Sequence, residues 1–147
     1  DFSEHSQAAL FLALDLTQHY GAELHCLHAV DVEHGFLMKG SYVSPVRTEP
    51  IDNQRLCDAA HRQMREFLNQ HCAGVSDSLR QAVVLGKPFE RIIRHARQEE
   101  IDLIVIGTHG HSALASMLLG SVAEKVIRKA PCAVLSVRHR EHKFEMP

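Results

Sequence analysis

The spacing of apolar residues switches back and forth between two periods along this chain, and that alternation restricts the fold more than any other feature. Helical spacing runs from Glu4 to Tyr20, with Ser3 placed to cap it and Ala9, Leu12, Ala13 and Leu16 on one side. Gly21 stops it, and Glu23 to Val32 reads as a strand. A second helix is expected from about Asp52 to His71, its inward stripe formed by Leu56, Ala60, Met64, Phe67 and Leu68. Arg80 to Leu85 is a short strand. Gly86-Lys87-Pro88 then turns into a third helix, with the proline suited to its first turn and Phe89, Ile92, Ile93 and Ala96 on one face. Asp102 to Ile106 is an apolar run that suits a parallel strand buried on both faces. A fourth helix opens near Gly120, turns Val122, Val126 and Ile127 inward and ends at Pro131. Cys132 to Val137 is the last strand.

Helix and strand thus alternate throughout, which predicts a parallel sheet with helices on both faces and right-handed crossovers. The fold class is α/β, an open, doubly wound, Rossmann-like sheet. In such a sheet a central strand normally precedes the first helix, so a strand of about five or six residues is expected just before Asp1 and is missing from this chain. At 147 residues and 45% apolar content there is enough material for one well-buried core. A single domain is expected over 1–138, followed by a charged tail at 139–147. Gly35 to Pro50 is a loop, long for a compact domain, and long loops often act as lids or binding loops.

Composition removes several classes of function. Sixteen Lys and Arg against 18 Asp and Glu leave a net charge of −2, so no strong field draws the chain to nucleic acid or to an anionic membrane. There is no Trp and few aromatics for a base-stacking platform. Cys26, Cys57, Cys72 and Cys132 form no C-x-x-C pair and no disulfide framework, which fits reduced thiols in the cytoplasm. The longest unbroken apolar run, Ala8 to Leu14, is too short to span a bilayer. Twelve histidines include His109-x-His111 and His139-x-x-His142, but neither pair has a carboxylate or thiolate at ligand spacing, so no metal site is expected. No Gly-x-Ser-x-Gly elbow accompanies the Ser, His and Asp residues, which argues against a hydrolase triad. Arg91, Arg94 and Arg97 share one side of the third helix and read as a solvated face.

The segment after the Asp102–Ile106 strand carries the chemistry. Gly107 lets the backbone leave the strand sharply, and Gly110 lets a backbone N–H approach a phosphate without a Cβ in the way. Gly120-Ser121 stands at the mouth of a helix, where unpaired N–H groups and the helix dipole favour an anion. Ser121 adds a hydroxyl donor, and Ser112 could add another. The segment also leaves the C-terminal end of a parallel strand, the edge where open α/β sheets bind ligands. Gly-x-x-Gly alone would read as a turn. Its combination with Gly-Ser nine residues on, after an apolar strand and before a helix, favours a phosphate loop. It is neither a Walker A loop nor Gly-x-Gly-x-x-Gly.

Gly107-x2-Gly110-x9-Gly120-Ser121 resembles the nucleotide-binding motif of the universal stress protein family at every defined position. Asp1-Phe2-Ser3-Glu4-His5-Ser6 resembles that family's opening, just after its first strand, and Leu27-His28-Ala29-Val30 resembles its second strand. Gly86-Lys87-Pro88, Asp102 to Gly110 and Gly120 to Val126 resemble its second half. The resemblance implies a five-stranded parallel sheet of the adenine nucleotide alpha-hydrolase-like kind and, in the nucleotide-binding branch, bound ATP, AMP or ADP, with Mg²⁺ carried on the phosphates. It implies that Asp1 contacts the adenine or ribose end and that Ala29 or Val30 borders the adenine. Gly107, Gly110, Gly120, Ser121 and Val122 would hold ribose and phosphates, with His109, His111 and Ser112 in the same loop. His111 stands where the family often has Arg or Lys, and Ala113 where a further Gly is frequent. The resemblance also implies a homodimer through the last strand, Cys132 to Val137, and a role in stress response or regulation.

Three functions follow as alternatives. The first is a nucleotide-binding module acting through partners. The second is a slow ATPase, for which His109 and His111 are the nearby candidates to position water. The third is an interaction domain without nucleotide, its glycines shaping turns.

Overall fold

The structure is a computed structural model that describes residues 1–31, 52–72, 79–110 and 119–138. Its elements follow the predicted order: α1 (Glu4–Tyr20), β1 (Leu24–Val30), α2 (Asn53–His71), β2 (Leu79–Leu85), α3 (Pro88–Gln98), β3 (Leu103–Gly107), α4 (Ser121–Lys129) and β4 (Ala133–Val137). The Gly35–Pro50 loop, His111, Ser112, Ala113 and the 139–147 tail lie outside the described residues.

Helix ends follow the local chemistry. The Ser3 hydroxyl accepts the Ser6 N–H at the start of α1, and Gly21 closes that helix in the left-handed conformation at φ 62°. Asp52 caps α2 by accepting the N–H groups of Gln54 and Arg55. Pro88 opens α3, where its missing N–H leaves nothing unsatisfied.

The strands form two parallel pairs. Leu24 to Val30 of β1 runs in register with Leu79 to Leu85 of β2, and Leu103 to Gly107 of β3 with Ala133 to Val137 of β4. Among the described residues β1 and β3 are not hydrogen-bonded to each other, so the sheet is split between them. The helices bridge the split. α1 packs on β1, β3 and β4, while α3 packs on β1 and on α4. Side chains of β1 alternate as a strand requires. Leu24 and Cys26 join Leu10, Leu14, Met64 and Leu68 between α1 and α2. His25 turns the other way, to within 3.1 Å of His95 on α3. Helices therefore cover both faces of β1.

Three packing expectations are corrected. The inward stripe of α1 is centred on Leu10 and Leu14, with Ala9, Ala13 and Thr17, while Leu12 and Leu16 are only half-buried. The helix is wedged between strands and α2, and Leu10 and Leu14 are the side chains that meet Met64 and Leu68. On α4 the inward residues are Ala123 and Val126, and Ile127 is 43% exposed. β3 is half-buried rather than covered on both faces, with Leu103 exposed. Its inner edge has no strand beside it among the described residues, which leaves it more open than a fully flanked strand.

All four cysteines are half-buried free thiols. Burial pushes Cys26 up to about 12, so it packs as a small apolar group. No described helix is long and apolar enough to cross a membrane.

Candidate nucleotide site

Parallel strands bring their C-terminal ends, and so the loops that leave them, to one edge. Val30 ends β1 there and Gly107 ends β3. The N-termini of α1 and α4 arrive at the same edge, because the chain must return along the helices to start the next strand.

Asp1 is held in this edge by a short relay. Its Oδ1 accepts the Ser3 N–H at 3.2 Å and the Ser3 hydroxyl at 2.7 Å. The same hydroxyl oxygen accepts the Ser6 N–H, so the cap of α1 also orients the carboxylate. The other oxygen, Oδ2, sits in the volume that a Cβ on Gly110 would occupy. Phe2 between them has φ 59°, a left-handed conformation that bulky residues rarely adopt. Two ring contacts hold it there. The ring centroid lies 4.5 Å from that of His28 on β1 and 5.4 Å from that of Phe67 on α2. Burial lowers the pKa of His28 to about 4, so it packs on Phe2 as a neutral ring at pH 7.

The loop after β3 is fixed from three sides. The Thr108 N–H donates to the Val137 carbonyl at 2.9 Å, which extends the β3–β4 ladder by one bond. The Gly120 N–H donates to the Thr108 carbonyl at 2.7 Å, bringing the start of α4 onto the end of β3. Thr108 Oγ1 lies 3.0 Å from His109 Nδ1, and both residues are buried. The His109 ring is 5.2 Å from that of His5 on α1. Gly107 lies so close to α1 that a Cβ there would come within 2.8 Å of the His5 backbone.

The start of α4 suits an anion. Gly120 is its N-cap and has no side chain to accept the first-turn N–H groups, unlike Ser3 on α1 and Asp52 on α2. Helix geometry leaves the N–H groups of Ser121, Val122 and Ala123 without intrahelical acceptors. Ser121 is exposed and adds a hydroxyl beside them. On the β1 side, the Val30 carbonyl accepts the Gly86 N–H at 2.9 Å. Ala29 and Val30 close the strand, opposite Val84 and Leu85 of β2.

The structure thus brings Asp1, Gly107, His109, Gly110 and Gly120 together, places Ser121 and Val122 at the adjoining helix mouth, and sets Ala29 and Val30 at the end of β1. Thr108, His5 and Phe2 take part without having been singled out as site residues. Thr108 lies inside the glycine motif and could have been suspected. Phe2 and His5 belong through contacts with distant segments, which no local pattern reveals. Among the described residues no group of three or more His, Cys, Asp or Glu side chains could hold a metal.

A model of the universal stress protein family matches residues 1–138. The chain is 32% identical to "Universal stress protein in QAH/OAS sulfhydrylase 3'region" of Thermus aquaticus, over 94% of this chain and 93% of that one. It is 30% identical to universal stress protein MJ0577 of Methanocaldococcus jannaschii, over 95% of this chain and 91% of that one. Among solved structures, the universal stress protein UspA from Lactobacillus plantarum superposes with a TM-score of 0.71 at 30% identity, covering 94% of this chain and 92% of that one. A universal stress protein crystallised in complex with cAMP shares the fold, with a TM-score of 0.64 at 23% identity, over 94% of this chain and 91% of that one.

Proposed function

Because this chain belongs to the universal stress protein family, we propose that it binds an adenine nucleotide, ATP first and AMP or ADP after it, at the edge shared by β1, β3 and the starts of α1 and α4. One observation carries this reading. The Asp1 carboxylate, the close approach at Gly110 and the helix mouth at Gly120, which has no side-chain cap, converge on one place. They supply an acceptor for ribose hydroxyls or the adenine amino group, and a row of N–H donors with a favourable dipole. A Cβ at Gly110 would push the Asp1 carboxylate out of its place.

In this reading Ala29 and Val30 border the adenine by backbone. Gly107, Gly110, Gly120, Ser121 and Val122 hold ribose and phosphates, with His109, His111 and Ser112 completing the loop. Mg²⁺ would come with the phosphates, since it usually keeps several waters and binds through them. The protein acts by binding rather than turnover. His109 is buried beside Thr108 Oγ1 and fixes the loop, a different task from positioning water at a γ-phosphate.

The same reading includes a homodimer through the outer edge of β4, where Ala133, Leu135 and Ser136 are exposed. It includes a cytoplasmic role in stress response or regulation, and a fifth strand in the split between β1 and β3.

The test is the small-molecule content of the freshly purified protein, read by mass spectrometry, together with ATP titration by calorimetry. The expected result is an adenine nucleotide and saturable ATP binding, with Gly110→Val weakening binding about tenfold or more while the circular dichroism is unchanged. No nucleotide and no ATP heat would overturn the reading. Phosphate release clearly above that of Gly110→Val would replace storage with hydrolysis.

A further inference from the structure

α3 and α4 pack side by side and carry six Arg or Lys residues against two Glu, in a chain whose net charge is −2. Two of the six are accounted for locally. The Arg91 guanidinium packs over Gly86, and Arg128 pairs with Glu124 at 3.6 Å. The other four, Arg94, Arg97, Lys125 and Lys129, are exposed and have no ion-pair partner among the described residues.

Arg94, Arg97 and Lys129 line a shallow, open groove of about 490 Å³ between the helices, and Lys125 stands beside its Phe89 ring. Its floor is apolar, formed by half-buried Phe89 and Ile93, and Glu90 is the acid among its lining side chains. Lys125 Nζ and Lys129 Nζ lie 5.0 and 5.6 Å from the centroid of the same Phe89 ring. Two ammonium groups thus share one ring, and an anion between the banks would offset their mutual repulsion.

We propose that this groove docks an acidic segment of a partner protein that alternates carboxylates with apolar residues. The carboxylates would meet Arg94 and Arg97 on one bank and Lys129 on the other, and an apolar side chain would rest on Phe89 and Ile93. A nucleic acid fits less well. The chain as a whole has a net charge of −2 and no positive field to draw a polyanion. The groove takes Lys129 from the end of α4, about 13 Å along the helix from Gly120, and none of its lining residues belongs to the candidate nucleotide site.

The probe is a fluorescein-labelled dodecapeptide of repeating Glu-Glu-Leu, titrated with the full chain at about 0.15 M salt and read by anisotropy. Saturable binding is expected, weakened about tenfold or more in the Arg94→Glu, Lys129→Glu double variant. Charge reversal on α2, at exposed Arg62 and Arg65, should change it less than about twofold. A Glu-Glu-Ser peptide should bind more weakly than the leucine peptide. The proposal is overturned by absence of saturable binding, by equal loss in the α2 variant, or by equal affinity for the serine peptide. It is also overturned if a labelled thymidine dodecamer binds more tightly and loses that binding in the same double variant, which would assign the groove to nucleic acid.

Discussion

Gly107, Gly110 and Gly120 form one motif but face different neighbours. A Cβ at Gly107 would press on the backbone of α1 at His5, which cannot swing aside. At Gly110 it would meet the Asp1 carboxylate, the end of a short side chain that the Ser3 N–H and hydroxyl hold in place. At Gly120 it would come within 3.0 Å of the Thr108 carbonyl, whose position is fixed because that carbonyl accepts the Gly120 N–H. Substitutions at Gly107 and Gly110 should therefore separate. Gly107→Ala is expected to destabilise the fold by about 1–3 kcal/mol, as overpacking against fixed backbone does. Gly110→Ala should cost less, up to about 1 kcal/mol for the Ser3 hydrogen bonds it disturbs, and should lose nucleotide affinity because it displaces Asp1. Denaturant melts and ATP titration of the two variants together check this. Equal stability of both would mean that α1 is not seated on β3 as described.

The start of α1 has two tasks. The Ser3 hydroxyl accepts the Ser6 N–H and donates to Asp1 Oδ1, and Ser3 is buried. Ser3→Ala should lower stability by about 1–2 kcal/mol, the upper range for a lost N-cap, since a second hydrogen bond goes with it. The same variant should loosen nucleotide binding by freeing Asp1, whereas Ser3→Thr should retain both properties, and chemical denaturation with ATP titration reads out the difference. The cap itself was visible in the sequence, as were all eight elements in their order, because periodicity, Gly, Pro and capping residues are local signals. Which face of α1 turns inward was not. Ala8 to Leu14 is apolar throughout, so any stripe through it looks plausible until Met64 and Leu68 choose one. Ile127 was misread for the same reason. Val126 and Ile127 are adjacent apolar residues, and the packing partner decides between them. In the candidate site, the glycine motif was readable from spacing alone. The contacts that aim it, Asp1 at Gly110 and His5 against Gly107, join segments about a hundred residues apart and left no mark on local composition.

The split between β1 and β3 is the least settled part of the molecule energetically. Each inner edge carries backbone N–H and C=O groups without a strand partner among the described residues, and edges of this kind accept another strand. All seven residues of β1 are only half-buried, although helices lie on both of its faces. α1 already spans the gap by touching β1 on one side and β3 and β4 on the other. Asp1 lies against Gly110, just beyond the end of β3, while Phe2 lies against His28 near the end of β1. A strand joined directly to Asp1 and running parallel to both would therefore finish level with them, giving the order β2, β1, new strand, β3, β4. Appending an alternating apolar strand of about six residues to Asp1 should stabilise the fold by a few kcal/mol, or about 10 °C in Tm. The physical source is specific: a new ladder on each side and burial of Ala29, Ile104 and Ile106. A version with Pro at the centre of the added strand should gain much less, because it cannot donate to the ladder. Amide exchange would locate the effect, with slower exchange in β1 and β3 and little change in α2. An unchanged Tm with unchanged exchange in those two strands would show that the gap does not take a strand, and that the helices hold the two halves of the sheet together.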